Sequence, residues 1–223
     1  MIRRTVLALL LTLLLLSHTA FADVTTIGWW RLGEDDPGAL DAAQAQNPTV
    51  AATGPFPLSW DSATNGNAFY RSDTAPAKRL RLGASTLAIE IDDTPAYPGY
   101  HTATLPSTAT TNIGLEIWAK ANEAVVDGGN PSDIIIWNGE TPGSGYGIIQ
   151  QNNVWGAAIR LIGTGDFTMV ATAPLTTGVW THLALIESGG TWSFYVNGKV
   201  AGTLTSNARS PEFRFSIGES FNA

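Results

Sequence analysis

WSFYVNGKVA, residues 192–201, decides the fold. Asn197-Gly198 stands between two apolar runs, and a two-residue type I′ turn needs positive φ at both central positions, which Asn and Gly tolerate. Trp192, Phe194 and Val196 then share one face of the first strand, and Ser193 and Tyr195 take the other. Upstream, WTHLALI at 180–186 is apolar on both faces, as a central strand covered on both sides is. IGLEIWA at 113–119 alternates Ile113, Leu115, Ile117 and Ala119 against Gly114, Glu116 and Trp118. Similar short runs are expected as strands at 26–32, 80–82, 87–91, 134–137, 146–150, 154–161, 167–171, 199–204 and 213–217. About eleven strands at roughly ten-residue spacing predict an all-β, antiparallel two-sheet sandwich of the jelly-roll type. Residues 39–46 are the one candidate for a short helix. Residues 34–66 and 94–112 read as long loops.

Composition agrees with a packed domain. Of 223 residues, 44% are hydrophobic and 14% charged, the reverse of a disordered chain. Lys and Arg number 12 against 19 Asp and Glu, so no basic footprint for nucleic acid exists. With no Cys, thiolate zinc sites, Cys nucleophiles and disulfides are excluded.

The N-terminus reads as a secretory signal peptide. Arg3 and Arg4 precede an apolar run from Val6 to Leu16, and Ala20-Phe21-Ala22 gives an A-x-A cleavage pattern. The apolar run is about half the ~20 residues of a membrane span. Residues 1–22 are therefore expected to leave, giving a mature chain from Asp23 that keeps 10 basic and 19 acidic residues, a net charge of −9. The product is expected at the cell surface, in the periplasm or outside, with no membrane span in its mature part.

Five motifs in order carry a family resemblance. They are IGWWRLGE at 27–34 with Gly38, Ala39 and Asp41; IGLEIWAK at 113–120; GVWTHLALI at 178–186; FYVNG at 194–198; and FSIG at 215–218. Together they resemble laminin-G-like domains of the concanavalin-A-like lectin/glucanase jelly rolls, over residues 26–219. The family continues past its Ile-Gly with a further strand, whereas this chain stops at Ala223. The domain is therefore read as 23–223, cut short at its C-terminus.

The resemblance brings carbohydrate chemistry into view. Glycoside hydrolases of the superfamily carry three carboxylates in alternation on one strand, at the ~5 Å separation that retention requires. Glu90 and Asp92 begin such a pattern, but Thr94 and Pro95 stand where the third should be. His182 lies in the family's Trp-x-His strand and is read as a packed residue; His101 is placed in a loop. Calcium is a possible cofactor through the loop acids Asp35, Asp36, Asp127, Asp133, Glu140 and Asp166, none of which has EF-hand spacing.

Trp118, Trp180 and Trp192 are expected in the core. Trp137 and Trp155 stand among polar residues at strand ends. With Asn138, Tyr146, Asn152 and Asn153 they form the candidate ligand site, flat rings for sugar C–H groups beside amides for hydroxyls; the bland alternative is that they too are core. The resulting expectation is a non-catalytic extracellular module that binds a glycan or a cell-surface protein. The alternatives are a polysaccharide-degrading enzyme on the same fold and a purely structural surface domain. A neutral glycan suits an acidic chain better than a sulfated or uronic one.

Overall fold

The computed structural model describes residues 24–33, 36–45, 49, 54–60, 67–76, 85–92, 99–122, 133–139, 143–164 and 166–220. The expected signal peptide and the expected strand at 80–82 lie outside these residues. Among the described residues, the regular structure is all strand: β1 (Leu58–Trp60), β2 (Asn67–Arg71), β3 (Ala88–Asp92), β4 (Tyr100–Thr102), β5 (Ile113–Ala119), β6 (Asp133–Asn138), β7 (Tyr146–Gln151), β8 (Val154–Arg160), β9 (Phe167–Pro174), β10 (Thr181–Ser188), β11 (Thr191–Val196), β12 (Lys199–Thr205) and β13 (Phe215–Ser220).

A seven-stranded sheet runs β1-β4-β13-β6-β7-β8-β9, a four-stranded sheet β12-β11-β10-β5, and β2 pairs with β3. Every ladder is antiparallel. This is the expected sandwich.

Period-two alternation builds the core between the layers. Tyr146, Ile148, Trp155, Ala157, Ile159, Phe215 and Ile217 come from the large sheet. Leu183, Leu185, Trp192 and Phe194 meet them from the four-stranded sheet, and Ala68, Ile89 and Ile91 from the β2–β3 pair. Each fully buried Leu or Ile side chain here contributes about 1.5–3 kcal/mol. A second cluster of Ile134, Trp137, Ile149 and Ala158, with Phe167 and Met169, lies on the other face of the large sheet.

Three hairpins close on two-residue turns with positive φ at both positions: Asn152-Asn153 (48° and 61°), Gly189-Gly190 (60° and 84°) and Asn197-Gly198 (51° and 77°). The last is the expected type I′ turn, and the first makes two candidate ligand residues into turn residues.

The first third of the chain departs from expectation. Residues 26–32 make no strand; Trp29 alone forms a single bridge. Side chains fix this segment instead: the Trp30 indole N–H donates to the Phe56 carbonyl at 2.7 Å, and its ring stacks on Phe215 at 4.9 Å. The expected helix is absent from residues 39–45. There, the N–H groups of Ala42 and Ala45 donate to the carbonyls of Tyr70 and Ala68, so the segment lies along β2. Asp36, a supposed rim acid, is buried and accepts from Thr49 Oγ1 (2.6 Å) and Tyr70 Oη (2.8 Å). It latches the N-terminal segment to β2. Two short strands, β1 and β4, fall where loops were expected, β2 falls where no strand was expected, and His101 lies within β4 rather than in a loop.

Candidate functional site

The expected aromatic patch does not form on the surface. Trp137 is wholly buried, with its indole N–H on the Ser144 carbonyl at 3.0 Å and its ring stacked on Phe167 at 6.2 Å. It packs so closely over β7 that a Cβ at Gly147 would collide with its ring. Trp155 is equally buried, but between the sheets beside Ala157 and Ile159. The two tryptophans therefore lie on opposite faces of the large sheet. The cause is the alternation of β8 combined with a register shift between Ile134 and Ile136 in β6.

Asn138 and Tyr146 do meet, as cross-strand partners. The Asn138 amide donates to Tyr146 Oη at 3.0 Å and to the Ser107 carbonyl at 2.9 Å, and the phenol donates to the Ala109 carbonyl at 2.8 Å. Burial pushes the phenol's pKa up to about 12. These bonds pin the 103–112 loop and offer nothing outward. Asn152 and Asn153 are exposed, at the opposite end of β7 from Tyr146.

The aromatic surface lies elsewhere, on the outer face of the four-stranded sheet. Thr181, Leu183, Leu185 and Glu187 of β10 are buried, which turns His182 and Ile186 outward. The register places His182 beside Trp118 of β5. It also sets Ala184 between Glu116 and Tyr195, and Tyr195 beside Val200. Trp118, Trp180 and Tyr195 are half-buried, while Ile186 and Val200 are exposed. Trp192, by contrast, is in the core as expected. Trp118 and Trp180 were missed because their alternation was read without asking which face another layer covers.

Polar groups frame these rings. The His182 ring lies 5.2 Å from that of Trp118, tilted by 51°, and its Nε2 is 3.6 Å from Glu116 Oε2. His182 thus packs as expected while keeping one edge toward solvent. The neighbouring His182 ring holds the Glu116 carboxyl below its ordinary pKa. At the end of the row, Asp73 accepts from Lys120 Nζ and, at 3.0 Å, from the Trp180 indole N–H. Lys120 Nζ also lies 5.8 Å from the centre of the Trp180 ring. These two donors, Lys120 foremost, lower the Asp73 pKa.

Glu90, the first carboxylate of the supposed catalytic pattern, is engaged by Arg71 and by the Asn122 amide at 2.6 Å. Such an ion-paired carboxylate, opposed to Phe69 across the β2–β3 ladder, is placed to tie β2, β3 and the end of β5 together. Thr94 and Pro95 lie outside the described residues. Among the described residues, no group of three or more His, Cys, Asp or Glu side chains converges to hold a metal. Asp35, Asp127 and Glu140 are outside them. No helix among the described residues is long and apolar enough to cross a membrane.

Comparison with known proteins fits this architecture. No curated protein matches the chain significantly. Among solved structures, a mutant of the protein HCR/D is similar at 13% identity and a TM-score of 0.50, over 81% of this chain and 42% of that one. The chain thus spans less than half of that relative. Domain 4 of AbnA, an extracellular arabinanase from Geobacillus stearothermophilus solved with arabinotriose, is similar at 16% identity and a TM-score of 0.45, over 71% and 76% of the two chains. A carbohydrate binding module from Bacillus subtilis is similar at 7% identity and a TM-score of 0.39, over 68% and 89%. At 13% identity the first of these likenesses is one of fold alone. Residues 96–223 match a family model, Laminin_G_3, described as the concanavalin A-like lectin/glucanases superfamily. The match begins well after the motif at 27–34, in the part of the chain where the strands are long and regular. This chain belongs to that laminin G-like family of the concanavalin A-like lectin/glucanase superfamily.

Proposed function

We propose that the chain is an exported, non-catalytic recognition module that binds a glycan across the outer face of its four-stranded sheet. The observation that carries this reading is the row of half-exposed rings, Trp180, Trp118 and Tyr195, with Glu116 and His182 set among them. Same-face positions along a strand are roughly 7 Å apart and neighbouring strands about 4.8 Å. The row therefore has the span of several sugar units rather than one. Indole faces take the apolar C–H faces of a pyranose, and the carboxylate and imidazole accept and donate to its hydroxyls. Family membership supports the reading, since the superfamily is named for lectins as well as glucanases; fold alone does not decide between them.

The test is a glycan array probed with the whole chain and with Trp118→Ala. The expected result is weak binding to neutral glycans, lost in the variant while it stays folded at the assay temperature, with no reducing sugar released. Binding retained in Trp118→Ala would reject this face. Release of reducing sugar would replace the module by an enzyme.

A further inference from the structure

The four-stranded sheet already holds one ammonium group. Lys120 Nζ is gripped by the Asp73 carboxylate while lying 5.8 Å from the centre of the Trp180 ring. One step along the same strand the chemistry repeats: Trp118 and Glu116 are two residues apart in β5, on the same outer face as Lys120. Among the described residues no lysine or arginine forms an ion pair with Glu116; its neighbour is the His182 imidazole, at 3.6 Å. The Glu116 side chain is 78% exposed. The protein as a whole carries 19 acidic against 12 basic residues, so its field adds to the local one.

We propose that Trp118 and Glu116 form a second ammonium-binding site, which takes the free amino group of an amino-sugar unit in the bound glycan. This rests on the glycan reading above and names its substrate class. The indole face attracts the cation through the ring quadrupole, and the carboxylate pairs with it at the edge of the ring. The sugar's own ring stacks on the adjoining aromatic surface. For exposed groups, indole and carboxylate together are worth about a factor of ten in affinity. Sulfated and uronic chains place like charge against Glu116 and are disfavoured.

The experiment is a calorimetric titration of the whole chain with short oligomers of glucosamine and of N-acetylglucosamine, at neutral pH and low salt. The two share a backbone and differ in the charge on nitrogen. The glucosamine oligomer is expected to bind about tenfold more tightly. Glu116→Gln should bring the two to parity, whereas Glu212→Gln, which removes an equal charge from the exposed Arg209–Glu212 pair, should leave the ratio unchanged. Parity in the parent chain overturns the proposal, as does a ratio that survives in Glu116→Gln. A lysine peptide that displaces the oligomer at lower concentration would overturn it in favour of a protein ligand. If the acetylated oligomer binds at parity and Trp118→Ala abolishes that binding, the glycan face stands and the ammonium preference fails. If no glycan binds at all, the underlying reading fails.

Discussion

Two pairs of tryptophans occupy the two sheets of this sandwich in opposite ways. Trp137 and Trp155, on the seven-stranded sheet, are sealed on its two faces, one in each hydrophobic cluster. Trp118 and Trp180, on the outside of the four-stranded sheet, keep part of their rings in solvent. Trp137 is followed by Asn138 and Trp155 stands just after Asn152 and Asn153, whereas Trp118 follows Ile117 and Trp180 follows Val179, yet the burial is the reverse. Alternation says which residues share a face; only the stacking of layers says which face is covered. The large sheet is packed on both sides at Trp137 and Trp155; among the described residues the small one is packed on its inner side, with Ile186 and Val200 exposed on the other.

The sharpest way to break this contrast is truncation of each tryptophan. Trp137→Ala and Trp155→Ala should each cost about 3–5 kcal/mol of stability, through lost transfer energy and the cavity left behind. Trp118→Ala should cost under half of that. Chemical denaturation of the three variants measures it directly, and equal losses would erase the distinction.

Next in size is a comparison within β10. Glu187 is buried and accepts the backbone N–H groups of Asn112 and Gly190, while its neighbour Ile186 faces solvent. Glu187→Ala strands both donors and should cost about 1–3 kcal/mol. Ile186→Ala should fall within about 0.5 kcal/mol of the parent. A larger loss at Ile186 would mean that something covers the outer face.

At alkaline pH the large sheet should yield through Tyr146. Its phenol is raised to about 12 in the fold from an ordinary 10. The unfolded chain therefore loses this proton first. The stabilisation is complete below pH 10 and disappears as pH climbs toward 12. A melting temperature measured between pH 9 and 12 should fall, and Tyr146→Phe should lessen that fall, the remainder belonging to Tyr100, whose phenol burial also raises.

The smallest expected effect is at the β11–β12 turn. Gly198 sits at φ 77° with open space where a Cβ would go. Gly198→Val should therefore cost upward of ~1 kcal/mol from backbone conformation alone, and Gly198→Asn much less, since Asn tolerates this region.

The C-terminal half of the fold was legible because its signals are local. β5 was located to the residue at both ends, and the Asn197-Gly198 turn announced itself through the two residue types that accept positive φ. The 24–76 region was not, because its order comes from contacts distant in sequence. Trp30 reaches Phe56 and Phe215, and Asp36 reaches Thr49 and Tyr70. No local pattern marks such partners, and strands of three residues such as β1 and β4 show too little alternation to read. The candidate site was missed for a related reason. Asn152 and Asn153 carry amides that suit a sugar, but the same side chains suit a turn, and there the turn prevailed.

Which aromatic surface meets the ligand is measured most directly by hydroxyl-radical footprinting of the whole chain with and without a bound oligosaccharide. The rings on the four-stranded sheet and the exposed turn asparagines are then read in one experiment. Trp118 and Tyr195 should lose reactivity when the sugar binds, while Asn152 and Asn153 stay as reactive as before. Protection at the 152–153 turn with Trp118 unchanged would contradict the assignment of the four-stranded sheet as the recognition face.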